Sequence, residues 1–556
     1  MASKLLTLPI CFLLMLFFSP LSLALISPQL VCNWTPFPAL CTSILAQANP
    51  AAGTLHDYGR FCMHQSLLDA IQSLSLIEHY LQLPSTSYLT TIRALEDCRS
   101  LVSLNIDFLS QTLATINSTD SLDSYQADDS ETLLSAVITN QVTCLDGLEA
   151  LESSASSMSS DLLVPLFDVT KKYSVTLAFF KHGNWGPNIN IGRWLTERDQ
   201  HRFKSDNNGH LPPVTISSRR NRKLLGTADN QRSKVKVSAM VVVKPDGSGD
   251  FATINEAVAA APNNTDKSYG YFMIYVAAGV YEEYVSIPKY KKYLMMVGDG
   301  INQTVINGNR SVVDGWTTFN SATFVVVGEG FVGVNMTIRN TAGAIKHQAV
   351  AVRNGADMST FHNCSFEGYQ DTLYAHSLRQ FYRDCDIYGT VDFIFGNGAV
   401  VLQNCNIYLR IPMENQFNAI TAQGRTDPNQ NTGISIHNCT IKKPANSESM
   451  SYNSTKTYLG RPWKEYSRTV YMETFMDNLI DPLGWKEWSG DFALSTLYYA
   501  EYNNRGPGSN ITNRVTWPGY HVINEIDAFN FTVYNFTGGD AWLPKTGVPF
   551  IKGLLS

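Results

Sequence analysis

The sequence predicts an all-β chain half, a right-handed parallel β-helix, preceded by an all-α four-helix bundle. Three observations carry this prediction. A short signature recurs as Asn335-Met336-Thr337-Ile338, Asn363-Cys364-Ser365-Phe366, Asp384-Cys385-Asp386-Ile387, Asn404-Cys405-Asn406-Ile407 and Asn438-Cys439-Thr440-Ile441. Its intervals are 28, 21, 20 and 34 residues, so one coil takes about 20 residues and the longer intervals hold loop insertions. Second, from Val241 onward short β-branched and aromatic runs alternate with Gly and Asn, the texture of short strands and turns. Third, Leu67, Ile71, Leu74 and Leu81 keep one apolar face at helical spacing. A β-sandwich is the alternative for the second half, but its meandering hairpins do not need so steady a marker.

Each segment follows in order. A chain of 556 residues is too long for one ordinary core, so two domains are expected. Residues 1–24 carry Lys4, an apolar run from Leu5 to Phe18 and small residues at Ser22 and Ala24, the pattern of a secretory signal. Residues 25–185 read as the bundle, with further helical patterns at 88–115, 130–154 and 160–181. Cys32 and Cys41 are spaced to close a small loop, Cys98 and Cys144 to staple two helices, and Cys62 is left over. Residues 186–237 are a linker with a basic tract that includes Arg222, Lys223, Leu224 and Leu225. Such a tract is a solvated connection and also a good protease site. Residues 238–556 form the β-helix, with a short helix at 253–261 capping its open end and strands at 272–277, 293–297, 323–327 and 334–338.

Composition excludes several function classes. A net charge of −6 gives no argument for nucleic acid. No later stretch reaches the ~20 apolar residues of a membrane span. Ten cysteines and twelve Asn-x-Ser/Thr sequons suit an extracellular protein. No Gly-x-Ser-x-Gly elbow and no zinc spacing is present, so neither a serine hydrolase nor a metal or cofactor is expected.

The chemistry centres on residues 348–396. Asp371 and Asp392 lie 21 residues apart, and Gln348 lies 22 before Gln370. Residues one coil apart stack about 4.8 Å from one another, so the two carboxyls should meet on one face. Two acids held that close do not ionise together, and their pKa values should split. Each residue also has a structural explanation. Asp371 suits an Asx-turn, and the two glutamines suit a stacked amide ladder. Asp392 is harder to explain, because Val391, Phe393, Ile394 and Phe395 surround it and a carboxylate there needs a partner. Gln348 and Gln370 could equally donate to a developing oxyanion. Arg461 could pair with Asp392, and Trp463 could stack on a sugar; otherwise both are a surface cation–aromatic pair. Cys385 and Cys405, one coil apart, are spaced for a disulfide across adjacent coils, or for two reduced core thiols.

Five ordered motifs carry a resemblance. They are Gly279-Val280-Tyr281-Glu282-Glu283, Gln348-Ala349-Val350-Ala351-Val352-Arg353, Gly368-Tyr369-Gln370-Asp371-Thr372-Leu373, Gly389-Thr390-Val391-Asp392-Phe393-Ile394-Phe395-Gly396-Asn397 and Leu459-Gly460-Arg461-Pro462-Trp463. Together they resemble the signature set of plant pectinesterases from about Val241 to the C-terminus, and the bundle resembles, more loosely, the pectinesterase-inhibitor domain. The resemblance implies hydrolysis of methyl esters in homogalacturonan. It implies Asp392 as nucleophile, Asp371 as general acid and then base, and Gln348 and Gln370 as oxyanion donors. Arg461 would hold Asp392 ionised, and Trp463 and Thr323 would contact substrate. It further implies secretion to the cell wall as a monomer, cleavage after Leu225 by a processing protease, separate inhibitor proteins as partners, and a helical domain that restrains the catalytic half until cleaved. A pectin lyase or galacturonase on the same fold is the nearest rival, and a non-catalytic wall protein the more distant one.

Overall fold

The structure is a computed structural model and describes residues 28–48, 54–83, 88–119, 121–151, 159–183, 185, 235–444 and 455–555. The expected signal segment and the tract Arg222, Lys223, Leu224 and Leu225 lie outside the described residues.

Four long helices make up the N-terminal part: Leu55–Gln82, Leu89–Ser118, Ser124–Glu149 and Val164–His182. Two begin with reciprocal capping boxes, Thr54 with Asp57 and Asp123 with Gln126, which satisfy amide donors that the first helical turn leaves free. Met63, Ala70, Leu109, Leu134, Val137, Val169 and Leu177 form their shared core. Cys32–Cys41 and Cys98–Cys144 are disulfides, and the second joins the Leu89–Ser118 helix to the Ser124–Glu149 helix. Cys62 is a free buried thiol, pushed up to about 12 by burial. Among the described residues, no helix is long and apolar enough to cross a membrane.

The second half is a stack of coils. Three parallel sheets of 11, 7 and 8 strands run along it, and each coil gives one strand to each sheet through the central turns. The register follows the signature, since Ser365 pairs with Asp386, Asp386 with Asn406 and Asn406 with Thr440. The second signature residues (Met336, Cys364, Cys385, Cys405, Cys439) and the fourth (Ile338, Phe366, Ile387, Ile407, Ile441) all point into the core, none more than 1% exposed. The first residue has a different job. Asn335, Asn363, Asp384, Asn404 and Asn438 adopt φ of 57, 51, 53, 59 and 52°. They turn the chain from one sheet to the next in the left-handed region, which Asn and Asp tolerate best among residues with a side chain. Stacked corners also bond one another, as where Asn363 Nδ2 donates to Asn335 Oδ1 at 2.7 Å. The strand expected at 334–338 is therefore two, Val332–Val334 and Thr337–Asn340, with the Asn335 corner between them.

The expected Cys385–Cys405 disulfide is absent; both thiols are free. The ladder explains this. Cys385 Sγ lies 3.6 Å from the Phe361 carbonyl and Cys405 Sγ 3.5 Å from the Tyr382 carbonyl. Each thiol is thus aimed at backbone of the preceding coil and packs as a small apolar side chain.

The helix Ile254–Ala260 closes one end of the stack with Ile254, Ala257 and Val258 buried. The main core of this half runs from Val243 to Tyr499 and draws on no bundle residue, so the β-helix has a complete core of its own. Peptide mapping after alkylation in denaturant without reductant should find Cys364, Cys385, Cys405 and Cys439 all alkylated and Cys98 and Cys144 linked. A Cys385–Cys405 linked peptide would overturn the ladder assignment.

Candidate active site

Strands Val352–Asn354, Leu373–Ala375 and Ile394–Gly396 are neighbours in the seven-stranded sheet, with Val352 opposite Leu373 and Leu373 opposite Ile394. Asp371 and Asp392 each sit two residues ahead of their strand, so the register brings them to equivalent corners. Both corners are left-handed, with φ of 64 and 52°. Backbone bonds continue the row, from Ala349 N to Gln370 O at 3.3 Å and from Asp371 N to Val391 O at 3.1 Å. Gln348 and Gln370 are half-buried, and neither side-chain amide makes a hydrogen bond within the described residues. Both amides are therefore available to a ligand.

Arg461 reaches this row from the turn after strand Thr457–Gly460, where its N–H donates to the Thr421 carbonyl at 3.0 Å. Its Nε donates to Asp392 Oδ1 at 2.8 Å and its Nη2 to Oδ2 at 2.6 Å. The planar guanidinium matches both carboxylate oxygens at once. Trp488 and Phe417 stack on it at 4.3 and 5.3 Å from their ring centres and fix its plane.

The two acids are 7% and 6% exposed, and burial raises both. For Asp392 the hydrogen bonds and charge of Arg461 oppose that rise. For Asp371 the Asp392 charge adds to burial, and its pKa lies well above the usual carboxylate range. The two carboxyls thus hold protons unequally, Asp371 the more tightly and Asp392 opposed by the Arg461 cation, the split expected of paired carboxyls in unequal surroundings.

Trp463 packs edge-on against Phe395 and Tyr374, with ring centres 6.0 and 6.4 Å apart. Gly424 must be glycine here, because a Cβ would come within 2.7 Å of the indole. Thr323 is fully buried beneath the docked bundle, and its hydroxyl donates to the Arg339 carbonyl at 3.0 Å.

The helical bundle lies on this same face. Bundle residues Leu95, Leu101, Leu145 and Leu148 share a core with Val350, Tyr374, Phe395 and Trp463. Those four follow Gln348, Asp371, Asp392 and Arg461 by two or three positions. Polar contacts surround the apolar patch. Asn397 Nδ2 donates to Thr139 Oγ1 at 2.8 Å, Gln430 Nε2 donates to the Ser135 carbonyl at 2.8 Å, and Lys464 pairs with Asp146 at 2.6 Å. Thr143 Oγ1 meets His376 Nε2 at 2.9 Å, and burial pushes that imidazole down to about 3, so it is neutral. Between Thr139, Thr143, Tyr374, His376, Asn397 and Trp463 only a void of about 10 Å³ is left.

Sequence reasoning gave no role to Trp488, Phe417, His376 or Asn397: the first two arrive from other loops, and the last two, each just past a strand of the active row, take their meaning only from the bundle residues they meet. It also missed Asp97. A signal for Asp97 was present, since it falls inside the buried stripe Ala94, Leu95, Cys98, Leu101, where an acid needs a partner.

Comparison with known proteins agrees with this architecture. A family profile described as Pectinesterase matches residues 240–540, and one described as Plant invertase/pectin methylesterase inhibitor matches residues 27–179. The chain is 54% identical over 548 residues to "Probable pectinesterase/pectinesterase inhibitor 41" of Arabidopsis thaliana, covering 95% of each. It is 45% identical over 536 residues to "Pectinesterase 2" of Citrus sinensis, covering 95% of this chain and 96% of that one. Among solved structures it is similar to pectin methylesterase from carrot, at 53% identity and a TM-score of 0.55, over 56% of this chain and 98% of that one. The β-helix with its paired acids, the bundle seated on it and similarity along almost the whole length lead to one conclusion: this chain belongs to the pectinesterase family and carries an N-terminal domain of the pectin methylesterase inhibitor family.

Proposed function

We propose that the β-helix hydrolyses galacturonate methyl esters through an acyl-enzyme on Asp392. The observation that carries this reading is the unequal acid pair, one carboxyl gripped by Arg461 and the other held protonated one coil away. Asp392 attacks the ester carbonyl carbon, and the amides of Gln348 and Gln370 donate to the oxyanion that forms. As the tetrahedral intermediate collapses, the carbon–methoxy bond breaks and Asp371 gives its proton to the leaving oxygen, releasing methanol. The product is an anhydride between Asp392 and the galacturonate carbonyl. Asp371, now ionised, takes a proton from water as that water attacks the acyl carbon. Asp392 leaves as a carboxylate, Asp371 is protonated again, and one ester has become one acid. Free side-chain amides beside the acids favour acyl transfer over glycoside cleavage, which has no comparable oxyanion to bind.

The docked bundle supports a second part of the proposal: the intact chain is restrained, and separation of the bundle exposes the site. Secretion to the cell wall, cleavage in the basic tract, action as a monomer and inhibition by separate inhibitor proteins complete the reading. They rest on the signal-like N-terminus, the Arg222–Leu225 tract and the family.

Methanol release from methylated polygalacturonate by residues 226–556 tests the reading. No release, with the polymer still bound, would sink it. Asp392→Asn should lower kcat by about 10³-fold or more with an unchanged circular dichroism spectrum, and an active variant would refute the nucleophile.

Arg461→Ala removes the group that opposes the rise of Asp392. The acid limb of the pH–rate profile should then move up by about one unit or more. An unmoved limb would assign Arg461 to substrate binding alone.

Asp97, in the interface, is pushed up to about 7 by burial, against the opposing effects of Thr317, Arg353 and Asn320. Undocked, it returns toward 3.8. Docking therefore favours the protonated form. It is strongest below about pH 4, weakens as pH rises and levels off above about pH 7. Relative to residues 226–556, the full chain should be most suppressed at acid pH, and Asp97→Asn should flatten that dependence.

A further inference from the structure

The guanidinium that grips Asp392 is supported by a later segment, residues 482–488. This segment runs alongside the residues just ahead of Arg461. Leu459 N donates to the Gly484 carbonyl at 2.7 Å, and Lys486 N donates to the Gly460 carbonyl at 3.0 Å. A parallel bridge joins Gly460 to Trp485. The two indoles of the segment have different surroundings. Trp485 is 1% exposed and stacks on Tyr499, with ring centres 4.2 Å apart. Trp488 is 37% exposed and lies over the Arg461 guanidinium at 4.3 Å.

Glu501 holds this segment from within the stack. It lies in strand Tyr498–Tyr502, two residues past Tyr499, and is 2% exposed. Its Oε1 accepts from Trp485 Nε1 at 3.3 Å, Arg514 Nε at 2.8 Å and the Tyr520 hydroxyl at 3.2 Å. Its Oε2 accepts from Arg514 Nη2 at 3.3 Å. Arg514 reaches the segment a second time, because its Nη1 donates to the Pro482 carbonyl at 3.1 Å. Gly484 packs on the same side chain, and a Cβ there would come within 2.4 Å of Arg514 Cδ. An apolar filling would close this end of the stack without the desolvation that a buried ion pair costs. What the pair adds is direction, since hydrogen bonds now fix both the backbone at Pro482 and the indole of Trp485.

We propose that Glu501 is a positioning residue for the ester hydrolysis. Through Trp485 and Arg514 it holds residues 482–488 so that Trp488 keeps the Arg461 guanidinium in the plane that meets both oxygens of Asp392. The proposal rests on the esterase reading above, in which Asp392 attacks as an ion. Among the described residues, the four side-chain hydrogen bonds of Glu501 all go to supporting groups, so it acts through the loop and not on the reacting atoms. With the segment loosened, the plane of Arg461 turns and its paired bonds to Asp392 weaken. Arg461 then opposes the effect of burial less, and Asp392 keeps its proton to higher pH.

The test uses residues 226–556, a half with a complete core of its own. Methanol release from methylated polygalacturonate is followed along the acid limb of the pH–rate profile. Trp485→Phe keeps a ring on Tyr499 and removes only the N–H that Glu501 accepts. Its kcat should fall about fivefold with KM changed less than about twofold, and the acid limb should move up by about half a unit. Glu501→Gln sets an amide donor against Arg514 and should lower kcat further, about tenfold or more. The deciding comparison is made in the Arg461→Ala background. There Trp485→Phe should add no further shift of the acid limb, because the group it positions is gone. If Glu501→Gln does not fold, Trp485→Phe and its combination with Arg461→Ala still decide the matter. Wild-type kcat and an unmoved acid limb in Trp485→Phe would overturn the proposal. So would equal shifts with and without Arg461, which would leave the network only the closing of the stack. Wild-type protein that releases no methanol would overturn the esterase reading and this proposal with it.

Discussion

Parallel register is the constraint on which the molecule depends. Each coil must present the same residue positions to the same three sheets, or the interior positions would fall out of line. That requirement puts Met336, Cys364, Cys385, Cys405 and Cys439 in one internal row. It also puts corners above corners. Corners of one row take Asn or Asp, those of another take Asp at residues 371 and 392, and both rows are left-handed. Asp371 and Asp392 thus occupy positions where a short polar side chain is favoured on backbone grounds alone. The proposed catalysis asks in addition only that the side chain be an acid and that its neighbours be right.

Those neighbours decide which acid does what. Burial works on both carboxyls alike, so it cannot distinguish them. The difference comes from Arg461, which bonds both oxygens of Asp392 and is itself held between Trp488 and Phe417. A flexible cation would lose side-chain entropy in gripping the acid, whereas one already stacked loses less. Asp371, without such a partner and facing a negative neighbour, keeps its proton.

The helical domain covers the face of the β-helix that carries the acid pair. Its apolar face covers residues just beyond each active-row position, and its polar groups meet Asn397, His376, Gln430 and Lys464. The Cys98–Cys144 bond holds the two helices that make most of this contact. Rigidity matters here, because a preformed face spends less ordering entropy on docking. Asp97 stands out among the contacts, since it is a buried acid with no ion pair among the described residues, whereas Asp146, Asp129 and Asp107 pair with Lys464, Arg379 and Lys289.

The sequence by itself determined the coil. Its 20- to 21-residue spacing, the signature and the apolar alternation were enough for the β-helix, the stacked row from Gln348 to Asp392 and the two bundle disulfides. These features are local or periodic, and periodicity survives in one dimension. Tertiary structure alone decided the rest. Whether Cys385 and Cys405 bond depends on where each sulfur points within a coil, not on their spacing. Trp488 meets Arg461 by the stacking of loops along the coils, and Asp97 meets Thr317 and Asn320 across more than two hundred residues by docking of one domain on the other. No period in the sequence encodes that docking, because it is set by the shape and burial of two finished surfaces.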